Sequence, residues 1–283
     1  MIDGTSPVVG VTGSTGYLGR ALVQTLRGQN LDVVEYRRNA RDATDHDHVR
    51  KLALGELVGD DTFDGVSTVV HGAWNLRETD PELAWQRNVD GSKHLLEMAL
   101  ASGVRRFIFV SSMSAYFGTK QDYGLMKLAV ERSVLEADQI VVRPGLVYGG
   151  GMGGMTGTLA KLARLPIIPV PSGAQQFTLH IDDFLSAMTT LVTASEVPSS
   201  VIGLAHKSPV PFQKLMRAFA AESGDSATTV VVPWRAVLAL MQALEALNFS
   251  SSVRSDSLLG LVRPAPFVPG GRAAASLGLS CRA

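Results

Sequence analysis

Residues 8–19 constrain the fold of this chain more than any other stretch. A short β-branched run ends at Thr12, a helical pattern follows a few residues later, and glycines stand at every third position between them. Gly13 can adopt backbone angles that a Cβ forbids, Gly16 lets the main chain approach a pyrophosphate, and Gly19 lets the helix pack closely on the strand. The free N–H groups and the dipole of the helix start then face the phosphates, which predicts dinucleotide binding. The turn residues expected to contact a cofactor are Gly13, Thr15, Gly16, Tyr17, Leu18 and Gly19.

Composition narrows the class of protein. With 283 residues, 46% of them hydrophobic, the chain can form one large α/β domain or a core domain with a smaller annex. Lys and Arg number 26, as do Asp and Glu, so there is no electrostatic case for nucleic acid or an anionic membrane as partner.

Cysteine usage and the absence of a visible export signal predict the cellular compartment. The one cysteine, Cys281, cannot build a disulfide framework or a cysteine metal site, so no metal is expected and a reducing cytoplasm fits. Residues 1–4 lack a basic start and an apolar core, so we expect no signal peptide. The apolar helix candidate at residues 234–247 is too short and too polar to span a membrane.

Strand and helix patterns alternate along the first half of the chain. Strands are predicted at 8–12, 31–36, 52–57, 68–71, 104–110 and 139–143, and helices after the glycine turn and at 81–101, 121–137, 212–221 and 234–247, with 39–50 mainly loop. This alternation predicts an α/β fold with a doubly wound parallel Rossmann sheet. The glycine-rich run at 149–154 predicts a hinge or substrate loop, where the chain leaves the nucleotide domain. The expected organisation is a Rossmann domain over 1–150, to which 177–195 returns, and a smaller substrate-binding region over 151–283.

The second predicted strand bears on the choice of cofactor. It ends in Arg37 and Arg38, about where an acidic residue would bind the ribose 2′-hydroxyl of NAD. Arginine at this position suits a 2′-phosphate, so NADP is expected. Glu35 is close enough to keep NAD possible. Alternatively, the two arginines only form a solvated strand end and contact no cofactor. After the strand at 68–71, the small residues Gly72 and Ala73 would let a cofactor lie across the sheet edge, whereas His71 is expected to be a core or loop residue.

A tyrosine and a lysine form the candidate catalytic pair. Tyr123 and Lys127 stand four residues apart on one helix face, after the fifth predicted strand, which runs out into Ser111, Ser112 and Ser114. We expect the lysine charge to lower the phenol pKa, so that the tyrosine transfers a proton while hydride moves to or from a nicotinamide. A serine hydroxyl would polarise the reacting carbonyl. The alternative is an exposed helical pair.

Together these residues resemble the extended, epimerase/dehydratase-like branch of the short-chain dehydrogenases/reductases. Residues 12–19 match its T-G-x-x-G-x-x-G turn, 88–91 its N-V-x-G motif, 111–116 its S-S-x-x-x-Y motif and 143–149 its R-P-x-x-V-Y-G motif. Residues 55–57, 70–73 and 177–183 look like its G-D-[LIV], V-x-H-x-A and H-[VI]-x-D segments, with glutamate replacing aspartate at position 56. The resemblance implies catalytic roles for Ser112, Tyr123, Lys127 and Asn88. It also implies cofactor contacts from Glu56, Leu57, Gly72, Ala73, Trp74, Ser111, Tyr123, Lys127, Pro144, Gly145, Leu146 and Val147. Dimers are usual in this family, so a homodimer is expected.

Two departures from the family pattern keep alternatives open. The loop between Ser112 and Tyr123 is short, so Ser114 could substitute for Ser112. Residues 254–261 resemble small atypical members, some of which bind NADPH without turnover. We therefore consider three functions. The favoured one is an NAD(P)-dependent epimerase/dehydratase-like oxidoreductase acting on the hydroxyl or carbonyl of a small sugar-nucleotide substrate. The others are an NADPH-dependent reductase of a non-sugar carbonyl and a catalytically silent NADP-binding module, against which the intact Ser, Tyr and Lys set argues.

Overall fold

The computed structural model describes residues 7–39, 48–151, 153–224, 228–247 and 255–282. The strands are β1 Val9–Thr12, β2 Val33–Arg37, β3 Val49–Lys51, β4 Thr68–His71, β5 Arg106–Val110, β6 Ile140–Pro144, β7 Leu146–Tyr148, β8 Ile167–Pro171, β9 Gln175–Gln176, β10 Thr178–His180, β11 Val201–Leu204, β12 Val210–Pro211 and β13 Thr228–Val232. The helices are α1 Tyr17–Gly28, α2 Pro81–Trp85, α3 Gly91–Ala101, α4 Asp122–Glu136, α5 Gly154–Leu162, α6 Ile181–Thr193, α7 Phe212–Glu222, α8 Trp234–Ala246, α9 Ser255–Val262 and α10 Gly271–Ser276. A π-helical segment, Gln86–Asp90, joins α2 to α3.

A seven-stranded parallel sheet organises the molecule. Its order is β11-β6-β5-β4-β1-β2-β3, and every neighbouring pair is parallel. The inner strands are buried on both faces, which explains their continuous apolar runs. The strand order reverses direction between β1 and β4, and the crevice at their carboxyl ends is where doubly wound sheets bind ligands. The predicted doubly wound α/β fold is therefore confirmed.

Two segments differ from the sequence-based prediction. The third strand is Val49–Lys51, inside the predicted loop, and not 52–57. Gly55 adopts a φ of +83°, which interrupts an extended strand, and Leu57 is 97% exposed. A short, polar edge strand has little hydrophobic pattern, so this strand could not be predicted from the sequence. The predicted helix at 81–101 is a continuous helical run, but the π-helical segment divides it. The expectations for residues 1–4, 40–47 and 254 lie outside the described residues.

Apolar clusters cover both faces of the sheet, and a separate one lies in the C-terminal region. One face packs under α1 and α6, and the other under α3 and α4. The separate cluster joins α5, β8 and α7. β11 is an edge strand of the sheet, and α10 packs against this strand. The Gly203 N–H of β11 donates to the carbonyl of Pro269, just before α10, at 2.9 Å. Besides α6 (181–193), therefore, two later segments join this part of the molecule: β11 (201–204) belongs to the sheet, and α10 (271–276) packs on it. The boundaries of the two domains remain a prediction. None of the helices in the described ranges has both the length and the apolar character needed to cross a membrane.

Candidate functional site

The glycine turn closes tightly at the end of β1. Gly13 has a φ of +71°, and a Cβ added there would lie 2.8 Å from the Ala73 backbone nitrogen. A Cβ at Gly19 would lie 2.2 Å from the Gly13 carbonyl oxygen, so helix and turn make direct backbone contact. Helix α1 begins after Gly16, which has no capping side chain, so the first N–H groups of the helix are available to an anion. The turn fits the pyrophosphate of a dinucleotide.

A buried hydrogen-bond chain joins this turn to the end of β4. The Thr12 hydroxyl oxygen accepts from the backbone N–H groups of Gly72 and Ala73, both at 3.1 Å, and lies 2.7 Å from His71 Nδ1. Because that oxygen already accepts two bonds, its own proton points at Nδ1, which leaves the His71 proton on Nε2, 2.9 Å from Ser92 Oγ. Burial, together with the charge on Lys127, lowers the His71 pKa to about 3. His71 is a neutral core residue, as predicted, and orders the backbone of Gly72 and Ala73.

The glycine-rich run at 149–154 contacts the glycine turn at the end of β1. The Tyr17 hydroxyl donates a hydrogen bond to the Gly149 carbonyl, and a Cβ at Gly153 would lie 2.7 Å from the Tyr17 side chain. Gly149, Gly150 and Gly151 all have positive φ, so the run turns sharply at this point. Its role as hinge or substrate loop stays a prediction, but the run is positioned by Tyr17.

An arginine-rich cavity of about 380 Å³ opens beside the glycine turn. Glu35 Oε1 lies 3.0 Å from Arg27 Nη1, and its Oε2 lies 2.9 Å from Arg37 Nη2, so one buried carboxylate holds two arginines. The side chains lining the cavity are Ser14, Thr15, Arg20, Val23, Gln24, Arg27, Glu35 and Arg37. Arg38 is exposed and does not line it. Arg20 and Arg27 are not among the residues predicted from the sequence; their helical spacing with Gln24, on one face of α1, could have indicated them.

Ser112 and Tyr123 meet at the carboxyl edge of the sheet. The Ser112 hydroxyl interacts with the Tyr123 phenol and lowers its pKa, and Ser112 Oγ accepts from the Ser114 N–H at 3.1 Å. The short loop is accommodated because Gly124 has no Cβ: one added there would lie 2.3 Å from the Ser114 carbonyl oxygen. Ser112 is therefore the serine that contacts the phenol, while Ser114 supports it.

Lys127 is buried behind the tyrosine. Its Nζ donates to the Val110 carbonyl at 2.9 Å and lies 3.7 Å from the centre of the Trp74 ring and 5.8 Å from that of Tyr123. Burial lowers the Lys127 pKa to about 7, against the opposing effect of Glu131. Burial likewise raises the Tyr123 pKa to about 12, with a smaller lowering from Ser112. The expectation that lysine lowers the phenol pKa is wrong for this structure, because desolvation of the phenolate dominates.

Asn88 acts on the loop that follows β4. It is buried in the π-helical segment, where its Oδ1 accepts from the Asn75 N–H at 2.7 Å and its Nδ2 donates to the Asn75 carbonyl at 3.1 Å. The preceding residue, Trp74, presents its ring edge-on to Tyr123 at 5.9 Å between centroids. Asn88 thus holds the loop that places Trp74 beside the phenol and over the Lys127 ammonium.

A buried ion pair supports the same helix from behind. Arg143 Nε donates to Glu131 Oε1 at 2.8 Å, and the Ser111 hydroxyl donates to the same oxygen. The two charged side chains are only 14% and 3% exposed. Glu131 is not among the residues predicted from the sequence, although it stands four residues after Lys127 and so continues the helix face of the pair.

The remaining predicted cofactor residues fall into two groups. Pro144 and Gly145 adjoin the serine loop, because the Met113 N–H donates to the Pro144 carbonyl at 3.0 Å; Leu146 and Val147 follow in β7. Glu56 and Leu57 lie at the surface, where Glu56 pairs with Lys51 at 3.3 Å. Their cofactor contacts stay predictions.

The fold and the site define a Rossmann-fold enzyme built to bind a nicotinamide dinucleotide. Residues 9–203 match the NAD dependent epimerase/dehydratase family, and the chain belongs to that family. It is accordingly an NAD(P)-dependent enzyme of the short-chain dehydrogenase/reductase superfamily.

Individual relatives span several activities. The chain is 30% identical to ceramide reductase of Caulobacter vibrioides over 90% of this chain and 82% of that protein. It is 28% identical to UDP-glucose 4-epimerase of Vibrio cholerae, but over 50% of this chain and 52% of that protein. Two solved structures share the fold. MoeE5 in complex with UDP-glucose and NAD has a TM-score of 0.71 at 21% identity, covering 98% of this chain and 94% of that one. WbmG of Bordetella bronchiseptica in complex with NAD has a TM-score of 0.73 at 16% identity, covering 100% and 91%.

Proposed function

We propose that this enzyme uses NADPH to reduce a carbonyl group on a largely apolar, non-sugar substrate. The arginine-rich cavity carries the proposal. Both oxygens of Glu35 already accept from guanidinium groups, so the carboxylate organises arginines and is poorly placed to bind a ribose hydroxyl. Arg27 and Arg37 remain partly exposed, and with Arg20 they present three positive charges against one negative charge. Such a site favours the 2′-phosphate of NADP over the ribose of NAD.

A preference for NADPH favours net reduction, and the site chemistry agrees with that direction. The bound cofactor would supply a hydride to the carbonyl carbon. The Tyr123 phenol, whose pKa of about 12 keeps it protonated near neutral pH, would give its proton to the carbonyl oxygen, with Ser112 as the second hydrogen-bond partner of that oxygen. The products are an alcohol and NADP, and the tyrosine recovers a proton from solvent.

Two observations support an apolar substrate. Ceramide reductase of Caulobacter vibrioides, which this chain matches over 82% of that protein, is named for a reaction on ceramide, a lipid. In the C-terminal region, α8 has no buried residue and exposes Leu240 and Leu244, and Leu247, directly after the helix, is exposed as well. This helix packs on α9, which contacts the start of the helix that carries Tyr123. A lipid-like substrate would contact these exposed apolar side chains, which α9 links to the start of α4.

The sugar-nucleotide epimerase or dehydratase favoured by the sequence is the second candidate. The family match and the UDP-glucose 4-epimerase relatives support it. In such an enzyme oxidation and re-reduction occur in one cycle, so the cofactor is regenerated and no net NADPH is consumed.

A substrate panel separates the candidates. The enzyme is incubated with NADPH and either long-chain keto lipids, including keto derivatives of ceramide, or UDP-sugars, while nicotinamide absorbance and product masses are followed. We expect stoichiometric loss of NADPH with a keto lipid. Conversion of a UDP-sugar without net cofactor change would replace the proposal by the second candidate, and cofactor binding without any product would favour the silent module.

The cofactor prediction concerns the arginines around Glu35. Replacing Arg27 or Arg37 by alanine should weaken NADPH binding by about tenfold or more and leave NADH binding nearly unchanged, because a charge-assisted hydrogen bond contributes roughly 1.5–3 kcal/mol. Calorimetric titration with both cofactors measures this. Arg38→Ala, outside the cavity, is the matched control and should bind both as the unmodified enzyme does. Tighter binding of NADH than of NADPH by the unmodified enzyme would show that Glu35 binds the ribose.

A further inference from the structure

Helix α4 carries Tyr123 and Lys127, yet its own first residues do not cap it. The N-cap residue is Gln121, whose side chain makes no capping hydrogen bond. The first N–H groups of any α-helix lack partners within the helix, and an uncapped start frays. Tyr123 is the second residue of this helix, so fraying would displace its phenol first.

The cap comes from the C-terminal region. Asp256, the second residue of α9, accepts a hydrogen bond from the Asp122 N–H at 2.7 Å through Oδ1 and one from the Tyr123 N–H at 3.4 Å through Oδ2. The neighbouring Gln121 side chain lowers the pKa of this carboxyl group. Burial raises the Asp256 pKa, while the two backbone donors oppose that shift. One carboxylate therefore provides the acceptors that the helix start lacks locally.

Further contacts hold α9 in the position that allows this cap. Gly260 lies directly against Gln121, where an added Cβ would be 2.7 Å from Oε1. The Gln176 side chain donates to the Gly260 carbonyl at 2.9 Å, and the Tyr116 hydroxyl donates to the Arg263 carbonyl at 2.8 Å. Leu258, two positions before Gly260, is buried. Asp256 is thus placed by packing along the whole of α9.

We propose that Asp256 is a positioning residue, which caps the catalytic helix from α9 and thereby fixes Tyr123 against Ser112. It touches neither the phenol nor the serine hydroxyl and acts through the backbone of Tyr123. The arrangement makes the geometry of the proton donor depend on the docking of a helix in the region where substrate is expected. The kinetic consequence rests on the proposed function; the structural consequence does not.

Three variants test the proposal: Asp256→Ala, Asp256→Asn and the control Ser257→Ala on the same helix. Hydrogen exchange at the amides of Asp122 and Tyr123 is measured alongside NADPH consumption. Asp256→Ala should lose protection at these two amides and lower kcat roughly tenfold, the scale of a lost helix cap, with an unchanged Kd for NADPH. Asparagine offers one acceptor oxygen where aspartate offers two, so Asp256→Asn should keep protection at the Asp122 amide, lose it at the Tyr123 amide, and give a kcat between those of Asp256→Ala and the unmodified enzyme. Ser257→Ala should change neither quantity.

Several outcomes would overturn the proposal. Unchanged protection in Asp256→Ala would show that the cap is not needed, and equal losses in Asp256→Asn and Asp256→Ala would show that charge matters and capping does not. Loss of protection throughout the protein, or loss of NADPH binding, would show a general role in folding. The exchange measurement needs no substrate. If no carbonyl compound is reduced, the proposed function fails while the exchange data still decide the role of Asp256.

Discussion

Replacing Tyr123 by phenylalanine is expected to lower kcat by roughly a hundredfold to ten-thousandfold, the usual contribution of general acid catalysis. Its hydroxyl interacts with Ser112, and its raised pKa keeps it protonated and able to donate. The affinity for NADPH should stay within about twofold, because we expect the phosphate contacts to come from the glycine turn and the arginine-rich cavity. The aromatic contact with Trp74 persists in phenylalanine, so the site should keep its shape.

The measurement combines steady-state kinetics with a calorimetric titration of NADPH for each variant. Tyr116→Phe is the matched control: it also removes a phenol hydroxyl near the serine loop, one that donates to the Arg263 carbonyl. We expect its kcat to change by less than about threefold, since it loses one ordinary hydrogen bond. Retention of most activity by Tyr123→Phe would show that another group transfers the proton.

Replacing Glu131 by alanine is expected to lower the free energy of unfolding by about 3–5 kcal/mol. The substitution leaves the Arg143 guanidinium largely buried without its carboxylate and removes the acceptor of the Ser111 hydroxyl. It also removes the negative charge that favours the ammonium form of Lys127, so the Lys127 pKa should fall further. A large loss of stability and a further fall in the Lys127 pKa should therefore occur together.

Denaturant unfolding of the purified variants checks the size of this effect. Glu136→Ala is the matched control, because Glu136 pairs with Arg132 at 2.9 Å on the same helix but at the surface. That exposed pair should contribute about 0.5 kcal/mol or less. In the double variant Glu131→Ala, Arg143→Met, part of the lost stability should return as the buried charge is removed. Equal effects of Glu131→Ala and Glu136→Ala would mean that water reaches the inner pair.

Features that depend on neighbouring residues were predictable from the sequence. The glycine spacing of the first turn follows from backbone sterics, since Gly13 needs a positive φ and Gly19 lies in contact with the Gly13 carbonyl. The alternation of apolar runs and helical patterns specified the doubly wound sheet. The four-residue spacing of Tyr123 and Lys127 placed both on one helix face. His71, which has no partner residue in the sequence pattern, was expected in the core or in a loop, and it is buried in the core.

Features that depend on distant residues were decided by the tertiary structure. The carboxylate of Glu35 joins Arg37 of its own strand to Arg27 of another element, and Asp256 reaches the amide of Tyr123 across 133 positions of the chain. No local periodicity encodes such contacts. The phenol pKa shows the same limit. Sequence spacing brings a lysine near Tyr123 and predicts a lowered pKa, but the folded chain removes both groups from water. Desolvation of the charged forms then dominates, so the Tyr123 pKa rises and the Lys127 pKa falls.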